Sequence, residues 1–358
     1  MKKNIIIVLI VLILIAAGVG LFFMYTNKPK AETAKQSETT SPDTNQEVVE
    51  EEPAEPVIKI FNGDARPMAF MIDNNKNAQP QSALNSAYMV YEIIVEGGET
   101  RLMALFKGVT IDQVGPIRSA RHYFLDYAME NDALYAHLGF SPQANRDFSV
   151  YGINNISGQA YDTGKARTET AKFWRATHKK APHNAYTNTN AILQVAADKG
   201  YATTSTQESV LNYVADEINL EAENAIVANT VTIPYATSHT VQYTYDATTQ
   251  RYTRHSKGKL MSDELTGESV TTKNIIITFA KNYTLNDGEN KGRQDVVTTG
   301  ELDGYYITNG KAIPIKCVKP ARRDQTTYQD LEGNEIEVND GNTWVNVCPI
   351  DAAVTITE

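Results

Sequence analysis

The feature that most constrains this chain is an uninterrupted apolar segment near its start, residues 5–25. It contains no charged side chain, and as a helix it would be about 31 Å long at roughly 1.5 Å per residue. The hydrocarbon core of a bilayer is about 30 Å thick, so this length matches one crossing. Lys2 and Lys3 precede the segment, which places the N-terminus in the cytoplasm by the positive-inside rule. We predict that residues 1–26 are the transmembrane signal-anchor of a single-pass protein.

The two alternatives to a spanning helix are a cleaved signal peptide and a lipid anchor. A signal peptide has an apolar region of roughly 7–15 residues, followed by small residues at the cleavage site. The small residues at 16–18 fit such a site, but the apolar run continues through residues 21–25. A lipid anchor needs a cysteine near the end of the run, and the run contains none. The sequence favours the anchor, and cleavage remains open.

The residues after the anchor, 27–56, are mostly Glu, Thr, Ser, Pro, Gln and Lys. This composition cannot bury enough apolar surface to offset the entropy lost on ordering. We therefore predict a disordered, acidic linker that holds a soluble part away from the bilayer. The whole chain has a net charge of −10, which is the opposite of the basic footprint of a nucleic-acid-binding protein.

Residues 57–225 have the pattern of an α/β domain with a mixed sheet. Short apolar runs predict strands at 68–72, 88–95, 100–106 and 133–138. The sequence Glu-Gly-Gly-Glu at 96–99 predicts a hairpin turn, because glycine tolerates positive φ. The Gly-Pro pair at 115–116 predicts a helix over 116–130, since proline is favoured at the first helical position. A second helix is predicted over 187–200, with Asn188 or Asn190 as its N-terminal cap and Gly200 at its end.

Residues 226–358 are rich in strand and turn signals and predict a β-rich, antiparallel C-terminal domain. The pair Asn309-Gly310 lies between two apolar runs and is typical of a two-residue hairpin. Two cysteines, Cys317 and Cys348, fall in this part. A disulfide is possible in an exported domain, and two buried free thiols are equally compatible with the sequence.

Several segments within about residues 57–350 together resemble the YerB-like putative lipoprotein family. They are RPMAFMIDN (66–74), YEIIVEGGETR (91–101), VGPIRSAR (114–121), SPQA (141–144), APHNAYT (181–187), NGK (309–311) and TW (343–344). The resemblance implies an extracytoplasmic protein of a Gram-positive-type bacterium, with N- and C-terminal parts that occur together. It implies no activity. The chain departs from the family at its anchor, because family members typically carry a lipid-modified cysteine that is missing here.

The strongest candidate for binding is the pair Arg118 and Arg121. In the predicted helix they would lie three residues apart on one face of the first turns. The positive end of a helix dipole disfavours arginine unless an anion or a carboxylate compensates. Exposed N–H groups and guanidinium groups there would bind phosphate, sulfate or carboxylate. The alternative is an internal ion-pair network in which Asp73, Glu96 or Glu99 supplies the carboxylate.

Asp73 follows a predicted strand, where α/β sheets usually bind their ligands. It is a candidate base or ligand, and the alternative is an Asx turn that stabilises the loop. His137 and His183 could join it in a mixed His/carboxylate site. No metal-ligand spacing supports such a site, and a lone strand histidine is more often a hydrogen-bonded core residue. The sequence therefore predicts no metal and no cofactor.

Glu92 and Glu96 are four residues apart in a predicted strand and would share one face, with Glu96 opposite Arg101 across the hairpin. Paired carboxylates perform acid–base chemistry only if their pKa values are pushed apart, which the sequence does not indicate. The segment 174–183 is basic and contains a tryptophan. It fits an acidic polymer such as a teichoic acid or a glycan phosphate, and a solvated loop equally well.

These observations predict a membrane-anchored, extracytoplasmic protein of the cell envelope that binds an anionic envelope component or a partner protein. The alternative is a hydrolase or transferase acting on a phosphorylated or glycan substrate, so whether the protein is an enzyme stays open. The partners predicted are the membrane, an anionic polymer or an envelope protein, and not nucleic acid. The predicted ligand site consists of Asp73, Glu96, Arg101, Arg118, Arg121 and His137.

Overall fold

The computed structural model describes residues 57–358, which contain far more strand than helix. The predicted anchor, 1–26, and the predicted linker, 27–56, lie outside the described residues. Within the described residues, no helix is both long enough and apolar enough to cross a bilayer. These residues belong to one compact unit.

The helices and strands of residues 57–358 are as follows. The α-helices are α1 (His122–Glu130), α2 (Pro142–Val150) and α3 (Thr189–Asp198), and the 3-10 turns are Leu84–Ser86, Glu96–Gly98 and Gly158–Ala160. The strands are β1 (Met68–Asp73), β2 (Met89–Ile94), β3 (Thr100–Phe106), β4 (Leu134–His137), β5 (Asn155–Ser157), β6 (Trp174–Arg175), β7 (Ala185–Tyr186), β8 (Tyr213–Val214), β9 (Ile226–Val227), β10 (Thr230–Ala236), β11 (His239–Asp246), β12 (Arg251–Ser256), β13 (Lys259–Leu260), β14 (Thr271–Thr272), β15 (Asn274–Ala280), β16 (Asn282–Thr284), β17 (Gln294–Val296), β18 (Gly300–Thr308), β19 (Lys311–Lys319), β20 (Thr327–Gln329), β21 (Val338–Asn339), β22 (Thr343–Pro349) and β23 (Thr355–Thr357).

The main sheet has eleven strands in the order β20-β19-β18-β15-β22-β2-β3-β1-β4-β5, with β9 paired to β19. Every residue of β1, β2, β3 and β22 is buried. Strands covered on both faces need consecutive apolar residues, which explains why β1 does not alternate. The predicted mixed sheet is confirmed, because β1 runs antiparallel to β3 and parallel to β4.

The sequence predicted an antiparallel C-terminal domain. Strand β22 shows that this part of the chain also contains parallel pairing. It lies between β2 and β15 and runs parallel to both. The antiparallel expectation came from hairpin signals between neighbours in sequence, and these say nothing about strands far apart in the chain. The hairpin at Asn309-Gly310 is confirmed and joins β18 to β19. The main sheet thus contains strands from both sides of the predicted domain boundary near residue 225, and that boundary stays a prediction.

The second sheet has six strands, in the order β13-β12-β11-β10-β23 with β14 paired to β12. Its strand β10 alternates between buried and half-buried residues, and its buried side chains are Val231, Ile233 and Tyr235. The hydroxyl of Tyr235 donates a hydrogen bond to the backbone oxygen of Glu92 in β2, at 3.1 Å. One face of this sheet therefore packs against the main sheet, as expected for an antiparallel sheet with one covered face.

Two further local predictions are confirmed. The turn at 96–99 joins β2 to β3, with φ of +69° at Gly97 and +72° at Gly98. The predicted second helix is α3, and the side chain of Asn188 accepts a hydrogen bond from the N–H of Ala191 at its start, at 2.7 Å. Both features depend on contacts within a few residues, which is why the sequence alone predicts them.

The predicted helix over 116–130 begins at His122, six residues later than expected. Residues 116–118 are instead extended beside the end of β1, and two backbone hydrogen bonds of 2.8 Å join them to it. Strand β4 pairs with only the first three residues of β1, so the rest of this edge would otherwise have unpaired backbone groups. Pairing with the sheet therefore replaces the first turns of the helix.

This correction changes the argument for Arg118 and Arg121. Arg118 lies in the extended segment, and Arg121 precedes α1 with an extended φ of −127°. Neither residue lies within a helix, so the prediction that they share one face of its first turns is wrong. Arg121 is the N-cap residue of α1, and Arg118 is three residues further from it. Their positions are determined by the edge of the main sheet.

Cys317 and Cys348 are free and buried, so the alternative of a disulfide is wrong. Cys317 accepts a hydrogen bond from the hydroxyl of Thr278 at 3.3 Å. Burial raises the pKa of each thiol to about 12. Both residues therefore act as small core side chains rather than as reactive thiols.

Candidate functional site

The candidate site is a cavity of about 200 Å³ at the end of β1, which we call the arginine pocket. Strand β1 ends at Asp73, and the register of the sheet places Arg101 of β3 directly beside it. The β2–β3 hairpin closes one side, and the loop before β7 contributes a histidine. The lining residues are Asp73, Asn75, Val95, Glu96, Glu99, Thr100, Arg101, Arg118 and His183.

Asp73 is the buried centre of one half of the arginine pocket. Its Oδ2 lies 3.2 Å from Nε of Arg118 and 2.8 Å from Nδ1 of His183. Its Oδ1 accepts the N–H of Asn75 at 3.0 Å, which is the Asx turn considered as an alternative for this residue. The side chain of Arg118 remains 28% exposed, so one cation of this group faces the cavity and solvent.

Glu96 organises the other half of the pocket by pairing with two arginines. Nη2 of Arg121 lies 2.6 Å from its carboxylate, and Nη2 of Arg101 lies 3.7 Å from it. Burial opposes the charge of Glu96, but the hydrogen bond and charge of Arg121, with the charge of Arg101, lower its pKa below the usual value. Burial, and then the charge of Arg121, lower the pKa of Arg101 to about 10. Arg101 also donates to the backbone oxygen of Ser119 at 2.6 Å.

Five of the six predicted site residues meet here. Asp73, Glu96, Arg101 and Arg118 line the cavity, and Arg121 bonds to Glu96 behind it. Asp73 and Glu96 form ion pairs with these arginines, and such an internal network was the alternative to a bound ligand. These pairs leave two arginines sharing one carboxylate.

His137 does not belong to the pocket, contrary to the prediction. It is buried in β4, where its Nδ1 bonds to the backbone oxygen of Gly139 at 2.9 Å and its ring stacks on Phe148 at 4.9 Å. Burial lowers its pKa below the usual value. It is a hydrogen-bonded core histidine, which was the alternative for a lone histidine in a strand.

His183 is the pocket residue that the sequence ranked too low. The segment Ala-Pro-His-Asn has no spacing that relates it to Asp73, which is 110 positions away. The signal in the sequence was that His183 lies in APHNAYT (181–187), one of the segments that resemble the YerB-like family. The loop before β7 folds back onto the end of β1, and this long-range contact brings the imidazole to the carboxylate.

Glu92 and Glu96 do not form a carboxylate pair. Glu96 lies in the turn beyond the end of β2, so the two-residue period of the strand no longer applies to it. Glu92 is fully buried under the second sheet, where Thr100 donates to it at 2.7 Å and Arg254 pairs with it. Burial opposes its charge, but the charge of Arg254 and the bond to His239 lower its pKa to about 2.

A second cavity, of about 640 Å³, adjoins the arginine pocket and shares His183 with it. We call it the lysine groove. It contains most of the basic segment that the sequence singled out, and it is lined by Lys76, Asn77, Gln79, Pro80, His178, Lys179, Lys180, Ala181, Pro182 and His183. Glu264 fixes its inner wall, because this carboxylate pairs with Lys179 at 2.8 Å and accepts the hydroxyl of Tyr186 at 2.6 Å.

The family of the chain follows from comparisons with known proteins. Residues 55–202 match the model of the N-terminal domain described as "Protein of unknown function (DUF3048)", and residues 231–345 match the model of its C-terminal domain. The chain belongs to the DUF3048 family. Both halves of the family pattern are present, so the resemblance found in the sequence is confirmed.

A relative and a solved structure agree with this family. "Putative lipoprotein YerB" of Bacillus subtilis (strain 168) is 30% identical over 302 residues, which cover 81% of this chain and 83% of the relative. The crystal structure of YerB protein from Bacillus subtilis has a TM-score of 0.70 at 28% identity and covers 82% of this chain and 94% of that one. The mixed, sheet-rich α/β architecture is thus the fold of a solved family member. None of these descriptions states a reaction or a ligand.

Proposed function

We propose that this chain is an extracytoplasmic cell-envelope protein that binds a phosphate or carboxylate group of an envelope component in the arginine pocket. The name of the Bacillus relative, a lipoprotein, supports a position at the membrane surface. The apolar segment 5–25 supports attachment by a single helix with a cytoplasmic N-terminus.

The observation that supports binding is the unequal pairing of charges in the pocket. Arg101 and Arg121 share the carboxylate of Glu96, while Arg118 pairs with Asp73. The third carboxylate of the lining, Glu99, pairs with Lys257 at 2.7 Å. An anion in the cavity would give the exposed guanidinium of Arg118 a second partner. Arginine forms two parallel hydrogen bonds to such groups, and the ion pair of Nε with Asp73 leaves the two terminal nitrogens of Arg118 for a ligand.

The test is calorimetric titration of the full-length protein in neutral detergent with glycerol phosphate and with acetate. We expect Arg118→Ala to weaken the binding of one of these anions about tenfold or more, because a hydrogen bond to a charged group contributes roughly 1.5–3 kcal/mol. Lys259→Ala is the control, because it removes one positive charge from an exposed strand end elsewhere. Equal affinities in wild type and Arg118→Ala, with the fold intact, would contradict the proposal.

One observation favours an enzyme as the second candidate. Asp73 bonds to Nδ1 of His183 at 2.8 Å, an arrangement that orients an imidazole as a general base. Such a base would activate water or a substrate hydroxyl beside the arginines, as in hydrolysis of a phosphodiester or glycan bond. The measurement is turnover of phosphodiester and glycan model substrates by wild type, His183→Gln and Lys259→Ala. A lack of turnover in wild type, or equal rates in wild type and His183→Gln, would count against this candidate.

A further inference from the structure

We propose that the arginine pocket and the lysine groove together bind one extended polymer of repeated phosphodiesters, so that the ligand contributes at least two phosphate groups. This inference rests on the anion binding proposed above and names its ligand class. It starts from the shared wall of the two cavities. His183 lines both, its side chain bonds to Asp73, and its backbone N–H donates to the oxygen of Lys180 at 2.9 Å.

The charge of the lysine groove indicates an anionic occupant. Lys179 and His178 have the carboxylate of Glu264 as partner. Lys76 and Lys180 are exposed and form no ion pair with any of the described residues. These two ammonium groups are therefore available on the rim of the groove, in a protein whose net charge is −10. Such a local concentration of positive charge attracts anions against the average field of the chain.

The apolar surface of the groove indicates which kind of anion it fits. Pro80, Ala181 and Pro182 are exposed and lie between the basic side chains. A chain that alternates charged phosphates with uncharged polyol or sugar units presents the same alternation. A flat membrane surface fits less well, because the groove and the pocket are concave and follow one another. The observations therefore favour a polymer chain over lipid head groups.

Two linked sites make a clear prediction about length. A ligand that reaches only one cavity gains one set of contacts, whereas a longer one gains the second set without a second loss of translational freedom. Synthetic glycerol phosphate oligomers of one, two, four and eight phosphates supply the probe. We expect affinity for the full-length protein in neutral detergent to rise at least about tenfold from one phosphate to eight, measured by calorimetry.

The double variant Lys76→Ala/Lys180→Ala isolates the groove. We expect it to remove most of this gain with length and to leave the affinity for glycerol phosphate unchanged, while Arg118→Ala weakens the short and the long ligands alike. Lys259→Ala/Lys281→Ala is the control, because it removes the same charge from exposed positions outside both cavities. The lysines tested are exposed, so the variants should fold, and circular dichroism checks this.

The outcomes separate this inference from the proposed function. If glycerol phosphate binds and Arg118→Ala weakens it, but the eight-phosphate oligomer binds no better or loses nothing in the lysine variant, only the polymer inference is overturned. If glycerol phosphate and all oligomers bind equally in wild type and Arg118→Ala, the arginine pocket is overturned as well. Vesicles with anionic lipid that bind through Lys76 and Lys180 more tightly than the oligomers would replace the polymer with a membrane surface.

Discussion

At the scale of single residues, Glu92 is a charged side chain in the core between the two sheets. Its carboxylate is fully buried and accepts hydrogen bonds from Asn74 at 3.1 Å and Thr100 at 2.7 Å. Arg254 completes the pair, and its guanidinium lies 4.2 Å from the ring of Trp344. This network joins β2, β3 and the residue that follows β1 to the second sheet, so its role is structural.

Removing one partner of the buried pair should destabilise the protein strongly. Glu92→Gln leaves the buried guanidinium of Arg254 without a counter-charge, and such changes lower the free energy of unfolding by about 3–5 kcal/mol. Urea denaturation followed by fluorescence measures the effect. Glu337→Gln removes an exposed carboxylate and is the control, for which we expect a change within about 0.5 kcal/mol. A small effect of Glu92→Gln would mean that the network contributes little to stability.

The same residue predicts a specific pH dependence. Because the folded pKa of Glu92 is lowered to about 2, the stability it contributes is fully present above its usual pKa near 4.5. That stability is lost as the pH falls from about 4.5 towards 2. The difference in unfolding free energy between wild type and Glu92→Gln should therefore shrink over this range. A difference that stays constant from pH 6 to pH 3 would contradict the assignment.

At the scale of elements, the β2–β3 hairpin forms one wall of the arginine pocket and contacts the second sheet. Gly97 and Gly98 both have positive φ, so a side chain at either position is strained. A Cβ on Gly97 would have no neighbour within 4 Å, whereas a Cβ on Gly98 would lie 2.9 Å from Cβ of Ala236. The two glycines therefore differ in packing and share their backbone conformation.

This difference provides a matched pair of variants. Both Gly97→Ala and Gly98→Ala should lower the free energy of unfolding by about 1 kcal/mol through backbone strain. Gly98→Ala should lower it by roughly 1–3 kcal/mol more, because the added methyl group collides with the second sheet. Chemical denaturation of the two variants side by side is the measurement. Equal losses would show that the hairpin moves away from Ala236 without cost.

At the scale of the whole molecule, β22 joins the two halves of the chain. It bonds to β2 on one side and to β15 on the other, and all of its residues are buried. The last strand, β23, is different, because it pairs through only three residues at the edge of the second sheet and is partly exposed. The C-terminal residues thus contain one central strand and one marginal strand.

Truncation distinguishes these two roles. A chain that ends at residue 342 leaves β2 and β15 with unpaired edges in the core, and we expect it not to fold. A chain that ends at residue 350 loses only β23, and we expect a cooperative unfolding transition with a modest loss of stability. Circular dichroism and limited proteolysis of both chains test this. A folded protein that ends at residue 342 would show that β22 is dispensable.

The parts of the fold and site that the sequence predicts are those determined by near neighbours. The hairpins at 96–99 and 309–310 depend on turn residues, and the cap of α3 depends on Asn188. The predicted start of α1 at Pro116 is wrong because the edge of β1 pairs with the backbone of residues 116–118, whereas the helix itself forms over His122–Glu130. His183 was ranked too low because its partner, Asp73, is close only after the chain folds.

The sequence by itself determined the apolar segment at 5–25, the family, and the residue types that can carry anion chemistry. Only the tertiary structure decided that β22 lies parallel between strands from both parts of the chain, that the pocket pairs Arg118 with Asp73 and Arg121 with Glu96, and that the lysine groove adjoins it. The physical reason is that strand pairing and charge pairing over long stretches of chain depend on which arrangement buries most apolar surface and satisfies most polar groups. No local pattern contains that information.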